Sequence, residues 1–139
     1  MPAIEQDSIH GVCLCGAVAY RAQGPLFATS HCYCSQCQRQ HGMAGSYGNV
    51  RAETFVVERG EAVITTYAKA HGRCFFCSVC GAMLYWRGDD TPERVALTLG
   101  TLTPPWTGTV ERDWFAEQRP TWLPSAASPV LPGDAPIPA

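Results

Sequence analysis

The chain contains the stretch Cys77-Ser78-Val79-Cys80-Gly81-Ala82-Met83-Leu84-Tyr85, in which two cysteines in a tight turn run into a strand-like segment. Nearer the N-terminus the pattern recurs as Cys13-Leu14-Cys15-Gly16-Ala17-Val18-Ala19-Tyr20, with Gly, Ala and Tyr at the same offsets from the second cysteine. Glycine suits a turn that needs a positive φ, and its bare backbone lets N–H groups donate to cysteine sulfur. Two such turns facing each other would bring four cysteines around one metal ion.

These four cysteines predict a structural metal site. The combination C-x-C-G with C-x-x-C-G is typical of a zinc ion held by four cysteines, here Cys13, Cys15, Cys77 and Cys80. A metal that closes a loop of about 60 residues suits a small, loop-rich domain. Two alternatives remain open. One is a rubredoxin-like iron site, which four cysteines also suit, and the other is two unrelated buried cysteine pairs.

A second cluster lies in His31-Cys32-Tyr33-Cys34-Ser35-Gln36-Cys37, where three cysteines are spaced C-x-C-x-x-C. Three protein ligands leave one position of a tetrahedral zinc open, which is the ligand count of a reactive site. Cys32, Cys34 and Cys37 are therefore the candidate catalytic residues and the ligands of a second zinc. The remaining cysteine, Cys74, is either a fourth ligand that would close this site or a core residue on a strand.

Composition narrows the class of protein. The 139 residues suffice for one domain with a modest core. Charged residues make up only 16% and the net charge is -2, so no basic surface for nucleic acid is expected. The N-terminus lacks the pattern of a signal peptide, and no apolar run approaches the ~20 residues of a membrane span. We therefore expect a cytoplasmic protein without a membrane partner, whose reduced cysteines favour metal over disulfides.

Alternating apolar and polar residues predict a mainly β fold. We expect strands over residues 12–21, 26–30, 46–50, 53–59, 62–67, 73–76, 82–87 and 94–99. Arg59-Gly60-Glu61 resembles the turn of a hairpin. One short helix over residues 35–41, ended by Gly42, would place the second cluster at a helix N-terminus. The predicted organisation is a leader (residues 1–10), a domain (residues 11–124) and an extended or disordered tail rich in Pro and Ala (residues 125–139).

Four motifs resemble those of the glutathione-dependent formaldehyde-activating enzyme family, whose fold is shared by centromere protein V-like domains. In chain order they are Cys13-Leu14-Cys15-Gly16-Ala17-Val18, His31-Cys32-Tyr33-Cys34-Ser35-Gln36-Cys37-Gln38, Phe76-Cys77-Ser78-Val79-Cys80-Gly81 and Leu99-Gly100-Thr101-Leu102. The segment from Trp114 to Leu123 resembles the family's closing segment. The resemblance implies a tent-like, all-β zinc fold with two zinc ions, the second of them open to water or a thiol. It also implies condensation of formaldehyde with glutathione to S-hydroxymethylglutathione, which is a carbon–sulfur lyase activity.

Three positions depart from the family pattern. Cys74 is not part of it. Asp113 stands where family members often carry a histidine before the closing aromatic pair, and His41 stands where many have a small residue before glycine. The last two lie close in sequence to segments where substrate recognition is expected.

The sequence leaves three functions open. The first is an enzyme that adds a zinc-bound thiol to a small aldehyde. The second is a carrier or sensor that binds glutathione or another thiol without chemistry. The third is an interaction module with two structural zinc ions, in which Cys74 closes the second site.

An enzyme of this kind needs further residues. A donor must stabilise the alkoxide that develops on the aldehyde, and the candidates by proximity in sequence are His31, Ser35, His41 and Tyr47. The carboxylates of glutathione could pair with Arg39, Arg51, Lys69 or Arg73. The Trp- and Pro-rich C-terminal segment could pack on a second copy of the chain.

Overall fold

The computed structural model of the chain describes residues 8–123. The predicted tail over residues 125–139, and residues 1–7 of the predicted leader, lie outside this range and stay predictions. The described strands are β1 Ser8–Val12, β2 Ala19–Gln23, β3 Phe27–Cys32, β4 Gly45–Arg51, β5 Val56–Arg59, β6 Ile64–Lys69, β7 Gly72–Cys77, β8 Met83–Gly88, β9 Arg94–Thr98 and β10 Arg112–Trp114. The α-helix of this part of the chain, α1, spans Ser35–His41. The prediction of a mainly β fold with one short helix is confirmed.

The strands form two sheets. A three-stranded antiparallel sheet has the order β1-β2-β5, and a seven-stranded sheet has the order β10-β3-β4-β9-β8-β7-β6. All neighbouring strands run antiparallel except β10, which runs parallel to β3 at the edge. Strand β1 pairs with β2 from Ser8 to Val12, so the last three residues of the expected leader belong to a sheet.

One hydrophobic core is shared by the two sheets. Five of its fully buried side chains come from four strands: Val50 from β4, Val95 and Leu97 from β9, Leu84 from β8 and Tyr20 from β2. The hydroxyl of Tyr20 is hydrogen-bonded to the Thr101 hydroxyl at 2.7 Å, which satisfies the one polar group that this ring brings into the core. Burial of each large side chain contributes about 1.5–3 kcal/mol, so this core and any bound metal together must stabilise a small chain.

The prediction of a hairpin around Gly60 is wrong. Strand β5 pairs with β2 in the small sheet, whereas β6 pairs with β7 in the large one. The chain therefore passes from one sheet to the other at this point. Gly60 has a φ of 80°, and a Cβ there would overlap the carbonyl oxygen of Ala17. Only glycine fits this corner, because both the left-handed backbone and the close approach of Ala17 exclude a side chain.

Helix α1 coincides with the predicted helix. Cys34 is its N-cap residue, and its sulfur accepts a hydrogen bond from the Cys37 N–H at 3.4 Å. Gly42 ends the helix with a φ of 76°, and its N–H donates to the Gln38 carbonyl at 2.8 Å. Between residues 8 and 123 the structure contains no helix long and apolar enough to cross a bilayer.

Candidate functional site

The first cluster brings four cysteine sulfur atoms together. The Sγ atoms of Cys13, Cys15, Cys77 and Cys80 all lie within 4.8 Å of one another. The Cys13–Cys15 distance is 3.6 Å and the Cys15–Cys77 distance is 3.8 Å. A tetrahedral zinc with bonds of about 2.3 Å places its sulfur ligands about 3.8 Å apart. The donor set and its spacing therefore fit one tetrahedral ion.

The two segments that resemble each other in sequence form related turns. The glycine N–H donates to the carbonyl of the first cysteine in each, three residues back from Gly16 and four residues back from Gly81. The N–H of Cys13 donates to the Val18 carbonyl at 3.1 Å, and the N–H of Cys77 donates to the Ala82 carbonyl at 3.0 Å. The glycine after the last cysteine has a φ near 80° in each turn. In the first turn the N–H of Val18 also donates to the Cys13 sulfur at 3.2 Å. Backbone N–H groups thus face sulfur, as the glycines predict.

Backbone donors favour thiolate at this cluster. The backbone N–H of Ala82, followed by that of Cys15, lowers the pKa of the Cys80 thiol to about 6. Such donation stabilises the negative form of sulfur, which is the form that binds metal. A cation among the four sulfur atoms would favour the thiolate form of all of them.

The second cluster joins a strand end to a helix start. Cys32 ends β3, Cys34 caps α1 and Cys37 lies in its first turn. Their Sγ atoms lie within 4.8 Å of one another, and all three residues are partly buried. Gln38 holds the loop between them, because its side-chain amide donates to the Tyr33 carbonyl at 2.7 Å.

The three thiols of the second cluster perturb one another. Burial alone would raise the pKa of Cys34, but hydrogen bonds from the Cys37 N–H and from the thiols of Cys32 and Cys37 lower it on balance. Burial, together with the neighbouring Cys32 and Cys34, raises the pKa of Cys37. One sulfur therefore ionises readily and hinders ionisation of the next. A cation between the sulfur atoms removes this conflict.

Cys74 does not complete the second cluster. It is fully buried on β7, opposite Trp86 of β8 and Tyr67 of β6. Among residues 8–123, only Cys32, Cys34 and Cys37 offer ligand atoms that all lie within 4.8 Å of one another at this site. These three ligands are one fewer than a tetrahedral ion takes, and the geometry gives no support to an interaction module closed by Cys74.

A cleft of about 730 Å³ lies alongside α1. The helix contributes Gln36, Arg39 and Gln40, which are neighbours of Cys37 in the chain, and Lys69 contributes from the end of β6. The lining includes two cationic side chains and no acidic one. Of the four basic residues singled out in the sequence, Arg39 and Lys69 therefore line one cleft, whereas Arg51 and Arg73 do not. The cysteines of the second cluster are not part of its lining.

The four candidate donors are divided between different places. Tyr47 pairs in register with Ser30, and Gly45 pairs with Cys32, so Tyr47 and Cys32 point to the same face of the large sheet. The Tyr47 hydroxyl lies 2.7 Å from His41 Nε2. His31 points to the opposite face, where its Nδ1 lies 2.8 Å from the Ser46 hydroxyl. Ser35 is exposed on α1.

Strand β10 was missed by the sequence reasoning. It pairs with β3, placing Trp114 beside Cys32 and Asp113 beside His31. The Tyr33 N–H donates to the Trp114 carbonyl at 3.0 Å, and the Gln38 side chain donates to the Gln118 carbonyl at 3.0 Å. These contacts fasten the C-terminal segment to the loop of the second cluster. The strand has three residues and no periodicity of its own, so that only its pairing reveals it.

A family model described as glutathione-dependent formaldehyde-activating enzyme matches residues 8–118. The chain belongs to this family. A Halomonas elongata protein named "Putative glutathione-dependent formaldehyde-activating enzyme" is 33% identical over 95 residues, covering 63% of this chain and 60% of that protein. The match thus spans less than two thirds of that protein's length. A crystal structure of a Rhodobacter sphaeroides protein has the same fold, with a TM-score of 0.63, 24% identity and coverage of 76% of this chain and 98% of the other.

Proposed function

We propose that this chain is a zinc-dependent enzyme that adds the thiol of glutathione to formaldehyde or a related small aldehyde. The reaction makes a carbon–sulfur bond, and its reversal makes the enzyme a carbon–sulfur lyase. The observation that carries the proposal is the set of three thiols, one ligand short of a tetrahedral ion, at the start of the helix that contributes Arg39 to a cleft also lined by Lys69. Family membership supports the choice of glutathione and formaldehyde.

Two zinc ions have separate roles in this proposal. Cys13, Cys15, Cys77 and Cys80 would hold a structural ion, whereas Cys32, Cys34 and Cys37 would hold the second, reactive one. The bound second zinc supplies a charge that lowers the pKa of an added thiol, so that the thiol is presented as a thiolate at neutral pH. Three thiolate ligands weaken this effect, and formaldehyde is an electrophile reactive enough to suit a thiolate of modest nucleophilicity.

The cleft can bind the rest of glutathione. Its volume of about 730 Å³ lies within the range of about 300–1,000 Å³ that is usual for small-molecule sites. Glutathione has two carboxylates, and the guanidinium of Arg39 and the ammonium of Lys69 are the matching cations. For the reaction, a ligand whose carboxylates are held there must extend its thiol to the cysteine cluster at the N-terminal end of α1. We also propose a cytoplasmic location, where thiols remain reduced.

The test combines ligand counting with turnover. Native mass spectrometry of the purified chain, with and without glutathione, should show two zinc ions and one glutathione adduct. Proton NMR should show S-hydroxymethylglutathione forming faster than in an enzyme-free control. Cys34→Ser should lose the adduct and keep the fold. Arg39→Ala should raise KM for glutathione about tenfold, the effect of losing roughly 1.4 kcal/mol of carboxylate binding, whereas Arg51→Ala serves as the matched control outside the cleft.

Each function predicts a different result. An adduct without any gain in rate would overturn the enzyme and favour a carrier or sensor of thiols. No adduct at millimolar glutathione would overturn both. The same spectra report whether the chain forms the homo-oligomer that the C-terminal sequence suggests.

A further inference from the structure

The rings of Tyr47 and His41 occupy the space over Gly45, next to the second cluster. Gly45 pairs in register with Cys32, so the position next to the Cys32 side chain on β4 carries no side chain of its own. A Cβ on Gly45 would lie 2.9 Å from Cε2 of Tyr47 and 3.0 Å from Cδ2 of His41. Glycine is therefore needed here so that both rings can approach the cluster.

The two rings form a hydrogen-bonded pair. The Tyr47 hydroxyl lies 2.7 Å from Nε2 of His41, and the rings meet edge-on with their centroids 5.6 Å apart. His41 is the last residue of α1, and Tyr47 is in the middle of β4. The pair thus joins the helix to the sheet on the face that carries Cys32.

Both rings are uncharged at neutral pH. Burial, followed by the charges of Cys37, Cys74, Cys32 and Cys34, raises the pKa of Tyr47, so its hydroxyl keeps its proton at neutral pH. Burial and then the charge of Lys69 lower the pKa of His41, so the imidazole is neutral there. A neutral imidazole with hydrogen on Nε2 donates to the Tyr47 oxygen and leaves the Tyr47 O–H free to donate elsewhere.

We propose that Tyr47 is the catalytic proton donor to the aldehyde oxygen and that His41 is its positioning residue. This inference rests on the proposed function. The other candidates are less well placed, because His31 faces away from the cluster and is hydrogen-bonded to Ser46, and Ser35 is exposed.

The addition of the thiol to the aldehyde conserves electron pairs and protons. A lone pair of the substrate thiolate forms the carbon–sulfur bond, and the π electrons of the carbonyl move to its oxygen. The Tyr47 O–H gives its proton to that oxygen, and the resulting phenolate is held by the His41 Nε2–H. The thiol releases one proton to solvent on binding, and solvent returns one proton to Tyr47. Thiol and aldehyde thus give the hydroxymethyl thioether with no net proton gained or lost.

Tyr47→Phe is the deciding variant. Removing a donor to a developing oxyanion lowers turnover about 10²–10³-fold in comparable sites. We expect such a loss in kcat, with glutathione binding in native mass spectra unchanged. Tyr20→Phe is the matched control, because it removes a hydroxyl that also makes one hydrogen bond of 2.7 Å but lies in the core. It should lose stability and keep kcat.

The role of His41 requires separate measurements. His41→Leu should lower kcat at least tenfold, and His41→Gln should restore part of it, because an amide N–H can replace the Nε2 donor. Nitrogen-15 NMR of the wild-type chain should show hydrogen on Nε2 of His41, with a shift in Tyr47→Phe. Equal kcat for wild type and Tyr47→Phe would overturn the inference and leave the proposed function standing. Thiol binding without turnover in the wild type would overturn both.

Discussion

Replacing Cys77 by serine tests whether the first cluster holds a metal. The matched control is the same substitution at Cys74 on the same strand, β7. Cys74 and Cys77 lie three residues apart on this strand, and both are 0% exposed. Cys77 alone of the two belongs to the four-sulfur cluster. Cys74→Ser and Cys77→Ser are therefore the same chemical change at equal burial, and a difference in their cost reports the metal.

The expected costs differ by more than the error of an unfolding experiment. Each substitution buries a hydroxyl in place of a thiol, at a cost of about 1–3 kcal/mol if the hydroxyl finds no partner. Cys77→Ser also removes one of four ligands. Structural zinc binds small domains with about 10–16 kcal/mol, so that an even share is about 2.5–4 kcal/mol per ligand. The combined loss, about 4–7 kcal/mol, approaches the 5–15 kcal/mol stability of a typical domain.

The assay is urea unfolding followed by circular dichroism, with bound zinc counted on the same samples. We expect Cys74→Ser to fold with two zinc ions and a modest shift of the midpoint. Cys77→Ser should be unfolded, insoluble or barely stable, and should lack one zinc ion. Equal midpoints for the two variants, with full zinc in Cys77→Ser, would refute a structural metal at this cluster.

Two further predictions concern the corner between the sheets and the ring pair. Gly60→Ala should lower the free energy of unfolding by at least about 1–2 kcal/mol for the left-handed backbone alone. The control is Gly100→Ala, which has open space around it and should change the free energy of unfolding by no more than about 0.5 kcal/mol. Similar thermal midpoints for the two variants would contradict this prediction. Because burial and Lys69 lower the pKa of His41 from 6.5, the unfolded chain takes up a proton that the folded chain resists below about pH 6.5. The stability of the wild type should therefore fall relative to His41→Gln as the pH drops below that value, and a pH-independent difference in melting temperature would exclude it.

Features encoded by neighbouring residues were predictable from the sequence. The two cysteine turns follow from short spacings and their glycines, and the structure gives them matching hydrogen bonds. Helix α1 follows from residues 35–41 and the stop at Gly42. Most strand predictions are close to the observed bounds because period-two patterns are local as well. The single strand predicted over residues 12–21 is wrong, because the cysteine turn separates Ser8–Val12 from Ala19–Gln23.

Features that depend on distant pairing were not predictable. The sequence predicts a hairpin at Gly60 instead of a corner between sheets, because the pattern of a strand does not show which strand it pairs with. Strand β10 has too few residues to produce a pattern. His41 and Tyr47 were two of four candidate donors, and the register of Gly45 with Cys32 was needed to place them at the cluster. Likewise, Arg39 and Lys69 meet in one cleft only through the packing of α1 near β6.

The contacts between the second cluster and the C-terminal segment can form only late in synthesis on the ribosome. Gln38 bonds to Gln118, which is 80 residues further along the chain. At about 5–20 residues per second, the cluster waits roughly 4–16 s for this partner after it has been translated. We expect a nascent chain stalled before residue 112 to have its three thiols open to alkylation, and the completed chain to protect them. Loading of the second ion would then come late, after translation has passed the last strand.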